Sequence, residues 1–314
     1  VARVARPGQL VVLESTTYPG TTRERLVPLL EESGLAAGRD FQVAYSPERI
    51  DPGRTDFTMR TTPKIVAGLT PACAERARAF YGEVCDEVVE VSTLEAAELA
   101  KLLENVFRSV NIALVNELAM LCDRMGIDVW EVVDAAATKP YGFMRFSPGP
   151  GMGGHCLPVD PFYLAWKARE YDMPTEFIEL AGEVNQRMPY FCVEKVAEAL
   201  NEHSKAVRDS RIVVIGVSYK AGVGDMRESP ALKIMRLLGE RGGKLAYNDP
   251  YVPELPELGL SSEGLEEALA GADVAVIVTA HPELDVEAVV GTAPLVVDFR
   301  GVTRGIEAAN LVRL

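Results

Sequence analysis

The sequence predicts an α/β protein, with two parallel-sheet domains, the first incomplete, joined by a central helical domain. Three observations carry that prediction. Short apolar runs alternate with amphipathic stretches up to residue 92, and the same alternation returns after residue 204, as expected of strands joined by helical crossovers. Between them, Thr93 to Met125 contains no glycine or proline and spaces its apolar residues as a helix does. The expected divisions are 1–92, 93–203 and 204–314.

In the first segment the signals run LVVLE at 10–14, an amphipathic TTRERLVPLLEES, FQVAY at 41–45, KIVAGL, PACAERARAFY and EVVEV at 87–91. They amount to three plausible strands. Pro28 is expected to kink or shorten the first helix. The middle segment holds the long helix over 93–125, then DVWEVVDAAAT, a glycine-rich loop, FYLAWKAREY, and a long helix from TEFIEL to ALNEH with a kink expected at Pro189. After a charged linker near KAVRDS, the last segment reads RIVVIG at 211–216, SPALKIMRLLGERG, KLAYND, a helix near 264–270, DVAVIVT and PLVVDF at 294–299. It reads as a complete doubly wound domain. The first segment starts abruptly, with no strand leading into a G-x-G-x-x-G turn, and a unit upstream of it is expected.

The 314 residues are 48% hydrophobic and 25% charged, which suits a globular chain of several cores. A net charge of −14 repels phosphate backbones, and no run of Lys and Arg offsets it, so nucleic acid is not an expected partner. No stretch approaches the roughly 18 apolar residues of a membrane span, and VARVARPGQL lacks a signal-peptide core. Cys73, Cys85, Cys122, Cys156 and Cys192 are odd in number and scattered, the usage of reduced thiols in a cytoplasmic protein.

The stretch GPGMGGHCLPVDP at 149–161 puts Gly149, Gly151 and Gly154 at dinucleotide-fingerprint spacing. Its flanks do not suit that use. The lead-in KPYGFMRFSP is not a buried strand, and Pro158 and Pro161 delay the next helix to about Phe162. Glycines also let backbone approach a ligand and present a side chain beside it, and here that side chain is Cys156. A thiol on such a loop, near a helix start, has the setting of an activated nucleophile; the alternative is a small buried cysteine. His155, Cys156 and Asp160 lack a fourth ligand, and no metal is expected.

These stretches, GPGMGGHCLPVDP with ESTTYPGTT, YSPERIDPG, EAAELAKLLENVFRSVNIALVNE and GVSYKAGVGDMRESPALK, together resemble the UDP-sugar 6-dehydrogenase family, in particular the branch acting on UDP-N-acetylhexosamines. The resemblance runs in collinear order from about Leu10 to the C-terminus. It implies a Rossmann-like NAD-binding domain, a helical middle that forms a homodimer and a Rossmann-like UDP-binding domain, with the NAD fingerprint in a first βαβ unit absent from this sequence. The implied chemistry oxidises a sugar C6 alcohol to the acid with two hydride transfers to NAD, through a thiohemiacetal and a thioester on Cys156. Its setting is nucleotide-sugar metabolism and polysaccharide biosynthesis.

By the same resemblance, Lys101 and Asn105, which lie four apart on one helix face, stabilise an oxyanion. Asp160 belongs to the water and proton network, and Thr16 and Glu48 hold water or act as base, given burial that raises the Glu48 pKa. A second glutamate of some members is replaced by Pro52. Arg145, Phe146, Ser147, Pro148, Gly149, Gly153 and Lys220 contact sugar and uridine, Arg300 approaches the diphosphate, and Thr16 and Arg227 contact NAD. Two other functions stay open: a two-electron hydroxyacid dehydrogenase of the 6-phosphogluconate type, which needs no cysteine, and a silent nucleotide-sugar-binding fragment. UDP-glucose and UDP-N-acetylmannosamine are the alternative substrates.

Overall fold

A computed structural model describes residues 1–51, 56–154 and 157–314. The chain divides into two compact units, one of residues 1–108 with 159–178 and one of residues 109–158 with 179–314.

The first unit is built on a four-stranded sheet in the order β1-β2-β3-β4. β1 (Leu10–Leu13) crosses through α1 (Val27–Glu31) to β2 (Gln42–Tyr45) and pairs with it in parallel. β3 (Lys64–Gly68) crosses through α2 (Pro71–Gly82) to β4 (Val88–Glu90), again in parallel. Alternate strand residues face opposite layers: Ala44 and Val66 pack with Ala77 and Tyr81 of α2, while Tyr45, Ile65 and Ala67 pack with Leu94 and Ala97 at the start of α3 (Leu94–Met125). A sheet buried on both faces needs apolar residues at successive positions, which is why KIVAG reads as an unbroken run.

The expected alternation of strand and crossover is present, with two differences. There are four strands, not three. The central pair β2–β3 is antiparallel, with Ala44 opposite Gly68. Parallel pairing needs a crossover, commonly a helix; the described residues between Tyr45 and Lys64 form no helix, and the chain returns in the opposite sense. Pro28 lies in a continuous helical run over 21–31 in which Thr22–Leu26 winds as a π turn and the α-helical part, α1, is only five residues long, in keeping with the shortening expected of it.

α4 (Val129–Ala137) belongs to the second unit and is capped by Asp128, whose carboxylate accepts from Trp130 N. α5 (Asp160–Ala168) returns to the first unit and starts two residues earlier than expected, since Pro161 is tolerated in a first helical turn. α6 (Glu176–Glu202) continues through Pro189 as one helix.

The second unit carries a five-stranded, wholly parallel sheet in the order β11-β10-β9-β5-β6. In chain order its elements are β5 (Arg211–Ile215), α7 (Pro230–Glu240), β6 (Lys244–Asn248), a small hairpin of β7 (Glu254–Leu255) and β8 (Leu260–Ser261), α8 (Leu265–Leu269), β9 (Val274–Ile277), α9 (Val286–Thr292), β10 (Val296–Asp298) and β11 (Leu311–Arg313). Ile212, Val214 and Val276 face a layer with Val193, Val196 and Leu200 of α6 and Ile234 and Leu238 of α7. Val213, Ile215 and Ala275 face Leu269 of α8 and Val289 of α9. Among the described residues, no helix is long and apolar enough to cross a membrane.

Candidate active site

α3 wears its polarity inverted. At about 100° per residue, Glu98, Asn105, Ser109 and Asn116 fall on one narrow stripe, and all four are buried. On the opposite side Leu103, Phe107, Leu114, Leu118, Leu121 and Met125 are exposed. Buried polar groups need partners: the Glu98, Asn105 and Asn116 side chains have them, and the carbonyl of Ser109 accepts from Asn185.

Within the first unit, Asn105 Nδ2 donates to Asp160 Oδ2 at 2.7 Å, so a residue of α3 is locked to the first residue of α5. One proton of that amide is thereby committed; the second has no acceptor among the described residues. Lys101 lies one turn before Asn105, partly buried, and its ammonium has no hydrogen bond or ion pair among the described residues. Another turn back, Glu98 accepts from Gly20 N at 2.6 Å, Thr22 N at 2.8 Å and Thr22 Oγ1 at 2.6 Å. Burial raises the Glu98 pKa, and these three bonds hold the rise in check. They also fix the turn that follows Thr16, a partly buried residue just beyond β1.

Glu48 is half-exposed, so the burial that its role as base asked for is not supplied. Its Oε1 instead accepts from Arg49 N and Ile50 N, each at 2.7 Å, and Oε2 lies 4.0 Å from Lys64 Nζ. Lys64 is itself buried, 3.2 Å from Glu14 Oε1, an oxygen that also accepts from the Tyr81 hydroxyl at 2.6 Å. Arg49 reaches the other way, to Glu104 Oε1 at 2.7 Å, beside Asn105. Glu48 and its neighbour Arg49 thus each face an oppositely charged side chain.

Within the second unit the loop from Arg145 to Gly154 runs without a strand, and Pro148, Gly149 and Pro150 are buried. Exposed Arg145 is paired with Asp134 at 2.7 Å and donates to Ser147 Oγ at 2.7 Å; Arg304 holds the other oxygen of Asp134. Phe146 is partly buried. Gly149 N donates to Asn116 Oδ1 at 2.9 Å, and a Cβ on Gly149 would sit 2.6 Å from Arg300 Nη1. Gly153 also allows a close approach, here to backbone, since a Cβ there would meet Glu228 O and Tyr219 Cβ at 2.8 Å. Arg300 is exposed to solvent, yet desolvation by the protein around it lowers its pKa; both hold for a side chain in a concavity. Arg227 is exposed, with its fork on the Asp225 carboxylate, and its carbonyl accepts from Gly154 N at 2.9 Å.

Lys220 follows a loop that the sequence left unexplained. Gly222 N donates to His281 Nδ1 at 3.1 Å, and His281 Nε2 lies 3.1 Å from Asp249 Oδ2, which also accepts from Val217 N and Ser218 N. Burial works to raise the Asp249 pKa, but these bonds outweigh it and lower it. Glu98, Lys64 and the Asp249–His281 pair all escaped the sequence reading. Only Glu98, three residues before Lys101 and facing the same way, left a signal there. Cys156, His155 and Pro52 lie outside the described residues.

Three family descriptions match along the chain: the NAD binding domain over residues 1–85, the central domain over 95–187 and the UDP binding domain over 213–305, all of the UDP-glucose/GDP-mannose dehydrogenase family. The UDP-N-acetyl-D-mannosamine dehydrogenase of Pyrococcus horikoshii is 39% identical over 90% of this chain and 65% of its own length. The UDP-N-acetyl-D-glucosamine 6-dehydrogenase of Pseudomonas aeruginosa is 36% identical over 90% of this chain and 68% of its own. The chain therefore spans about two thirds of these curated relatives. A solved structure of the UDP-D-ManNAc dehydrogenase from Pyrococcus horikoshii superposes with a TM-score of 0.90 at 34% identity, covering 100% of this chain and 74% of that one. The match at residues 1–85 lends no support to a silent fragment. The chain belongs to the UDP-glucose/GDP-mannose dehydrogenase family, whose members are NAD-dependent nucleotide-sugar dehydrogenases.

Proposed function

We propose that the protein oxidises the C6 alcohol of a UDP-N-acetylhexosamine to the uronic acid in two NAD-dependent steps, with Cys156 as covalent catalyst. The observation that carries this is the Lys101, Asn105 and Asp160 group: a partly buried lysine whose ammonium has no partner among the described residues, one turn from a buried amide whose orientation a carboxylate fixes. Such donors, fixed in advance, stabilise charge developing on oxygen without reorganising. The relatives named for UDP-N-acetyl sugars support the substrate class.

NAD, when bound, takes the hydride in each step. Thr16 and Arg227 are the residues that would hold it. Thr16 follows the carboxyl end of β1, the edge of a parallel pair where dinucleotides lie, and Arg227 offers an exposed cation. The first oxidation gives the C6 aldehyde. The Cys156 thiolate adds to that carbonyl carbon, and the second hydride leaves from the resulting thiohemiacetal to give a thioester. Lys101 and the uncommitted N–H of Asn105 bind the oxyanion in each tetrahedral state. Water then attacks the thioester carbon, the C–S bond breaks, and the acid and the thiol are released. Glu48, reachable by solvent and steadied by two backbone N–H groups, orients that water, while Asp160 keeps Asn105 aligned and relays protons. Arg145 to Gly149, Gly153 and Lys220 bind the sugar and uridine, and Arg300 meets the diphosphate, as a planar guanidinium suits. The division of labour follows residues 1–92, 93–203 and 204–314, and the exposed stripe of α3 joins two copies.

The test is a panel of UDP-sugars followed at the NADH absorbance. Two NADH per sugar consumed, abolished by Cys156→Ser, is the expected result. One NADH per sugar with Cys156→Ser unimpaired replaces it with the two-electron alternative.

A further inference from the structure

The glycine-rich loop is tied into the second unit by a directional chain of amides. Gly149 N–H donates to Asn116 Oδ1 at 2.9 Å, Asn116 Nδ2 donates to Asn185 Oδ1 at 3.0 Å, and Asn185 Nδ2 donates to the carbonyl of Ser109 at 3.2 Å. Asn116 is fully buried and Asn185 is 4% exposed, so each amide has only one satisfactory orientation; turning either would set N–H against N–H. Pro189 strengthens the arrangement from an unexpected direction. It has no N–H to give the carbonyl of Asn185 four residues back, and that carbonyl lies 3.3 Å from where a Cβ on Gly151 would be. Gly151 sits at φ +130°, and at the far end Gly154 N is held by the carbonyl of Arg227. The loop is therefore clamped at Gly149, pressed on α6 at Gly151 and clamped again at Gly154.

We propose that Asn116 and Asn185 are positioning residues for this loop: they touch no reacting group themselves and set the backbone on which Gly149 and Gly153 meet the nucleotide sugar. The proposal rests on the dehydrogenase function above. It makes the two amides one unit, so that losing either loses the clamp.

Asn116→Leu, Asn185→Leu and the double variant are compared by amide hydrogen exchange at Gly149 and by kcat and KM for the UDP-sugar. Exchange at Gly149 is expected to rise about tenfold or more on loss of its buried acceptor, with a comparable rise in KM, and the double variant should be no worse than either single one. Asn116→Asp adds a readout that a purely structural role does not give. Protonated, its carboxyl both accepts from Gly149 and donates to Asn185; ionised, it has no donor. Its KM relative to wild type should climb with pH. Unchanged exchange in the leucine variants, faster exchange with KM and kcat intact, or a pH-independent KM ratio in Asn116→Asp each overturn the proposal. If the leucine variants do not fold, Asn116→Asp decides alone. A wild-type protein that turns over no UDP-sugar sinks the dehydrogenase function instead, and exchange at Gly149 still decides the clamp.

Discussion

Asn105 and Asp160 are joined by a 2.7 Å hydrogen bond between two side chains that are each about nineteen-twentieths buried. The bond spends one amide proton to aim the other. Asp160→Ala removes the aim and leaves a buried donor unpaired, at a cost of about 1–3 kcal/mol of stability. Activity should suffer more: an oxyanion donor out of place costs about 10² to 10³ in kcat. Thermal unfolding and steady-state rates, measured on one preparation, check both. A lowered melting temperature with kcat intact leaves the pair structural only.

Glu98 makes the opposite kind of prediction, in pH. Its folded pKa is raised by burial above the ordinary carboxylate value of 4.5, with Thr22 and Gly20 opposing. A raised folded pKa means that the native state binds the proton more tightly than the unfolded chain. Its stabilising contribution is full below the unfolded value and fades as pH rises through the folded one. Glu98→Gln cannot titrate. The stability of wild type minus that of Glu98→Gln, from denaturant melts, should fall from about pH 4.5 upward; a flat difference contradicts it.

How much of this was legible beforehand divides along physical lines. Strand and helix identity follow from local periodicity, and nearly every apolar run became the element it promised. The antiparallel β2–β3 pair was not legible, because it depends on the connection between the strands, whose described residues form no helix. Lys101 and Asn105 could be paired by helix spacing alone. Asp249 and His281 could not, since their bond spans 32 residues between the carboxyl ends of two strands and only the sheet order brings them together. Asn116 and Asn185 were hidden for the same reason, on separate helices 69 residues apart.

The apolar side of α3 predicts association. Leu103, Leu114 and Leu121 stand exposed on one stripe of a 32-residue helix, and a contiguous apolar surface of that length is characteristic of an interface. Leu114→Glu with Leu121→Glu should convert a dimer to a monomer by sedimentation, because two charges per copy would be buried against like charges. Sedimentation of the wild-type protein as a monomer at micromolar concentration ends the idea.

Gly149 and Arg300 give the most economical test of nucleotide binding. A methyl on Gly149 would sit 2.6 Å from Arg300 Nη1, the far end of a flexible side chain, so the guanidinium can swing away and the fold need not strain. Gly149→Ala should therefore melt within a few degrees of wild type while its KM for the UDP-sugar rises roughly tenfold, the loss of about one charge-assisted contact. Arg300→Ala should raise KM at least as much, and the two changes combined should not add, since both remove the same cation from the same place. Gly153→Ala is the control. Its methyl would meet the carbonyl oxygen of Glu228 at 2.8 Å, a backbone atom without freedom to move, and its melting temperature should drop where that of Gly149→Ala does not. If Gly149→Ala and Arg300→Ala both leave KM unchanged, the diphosphate binds elsewhere and Arg300 has no part in holding it.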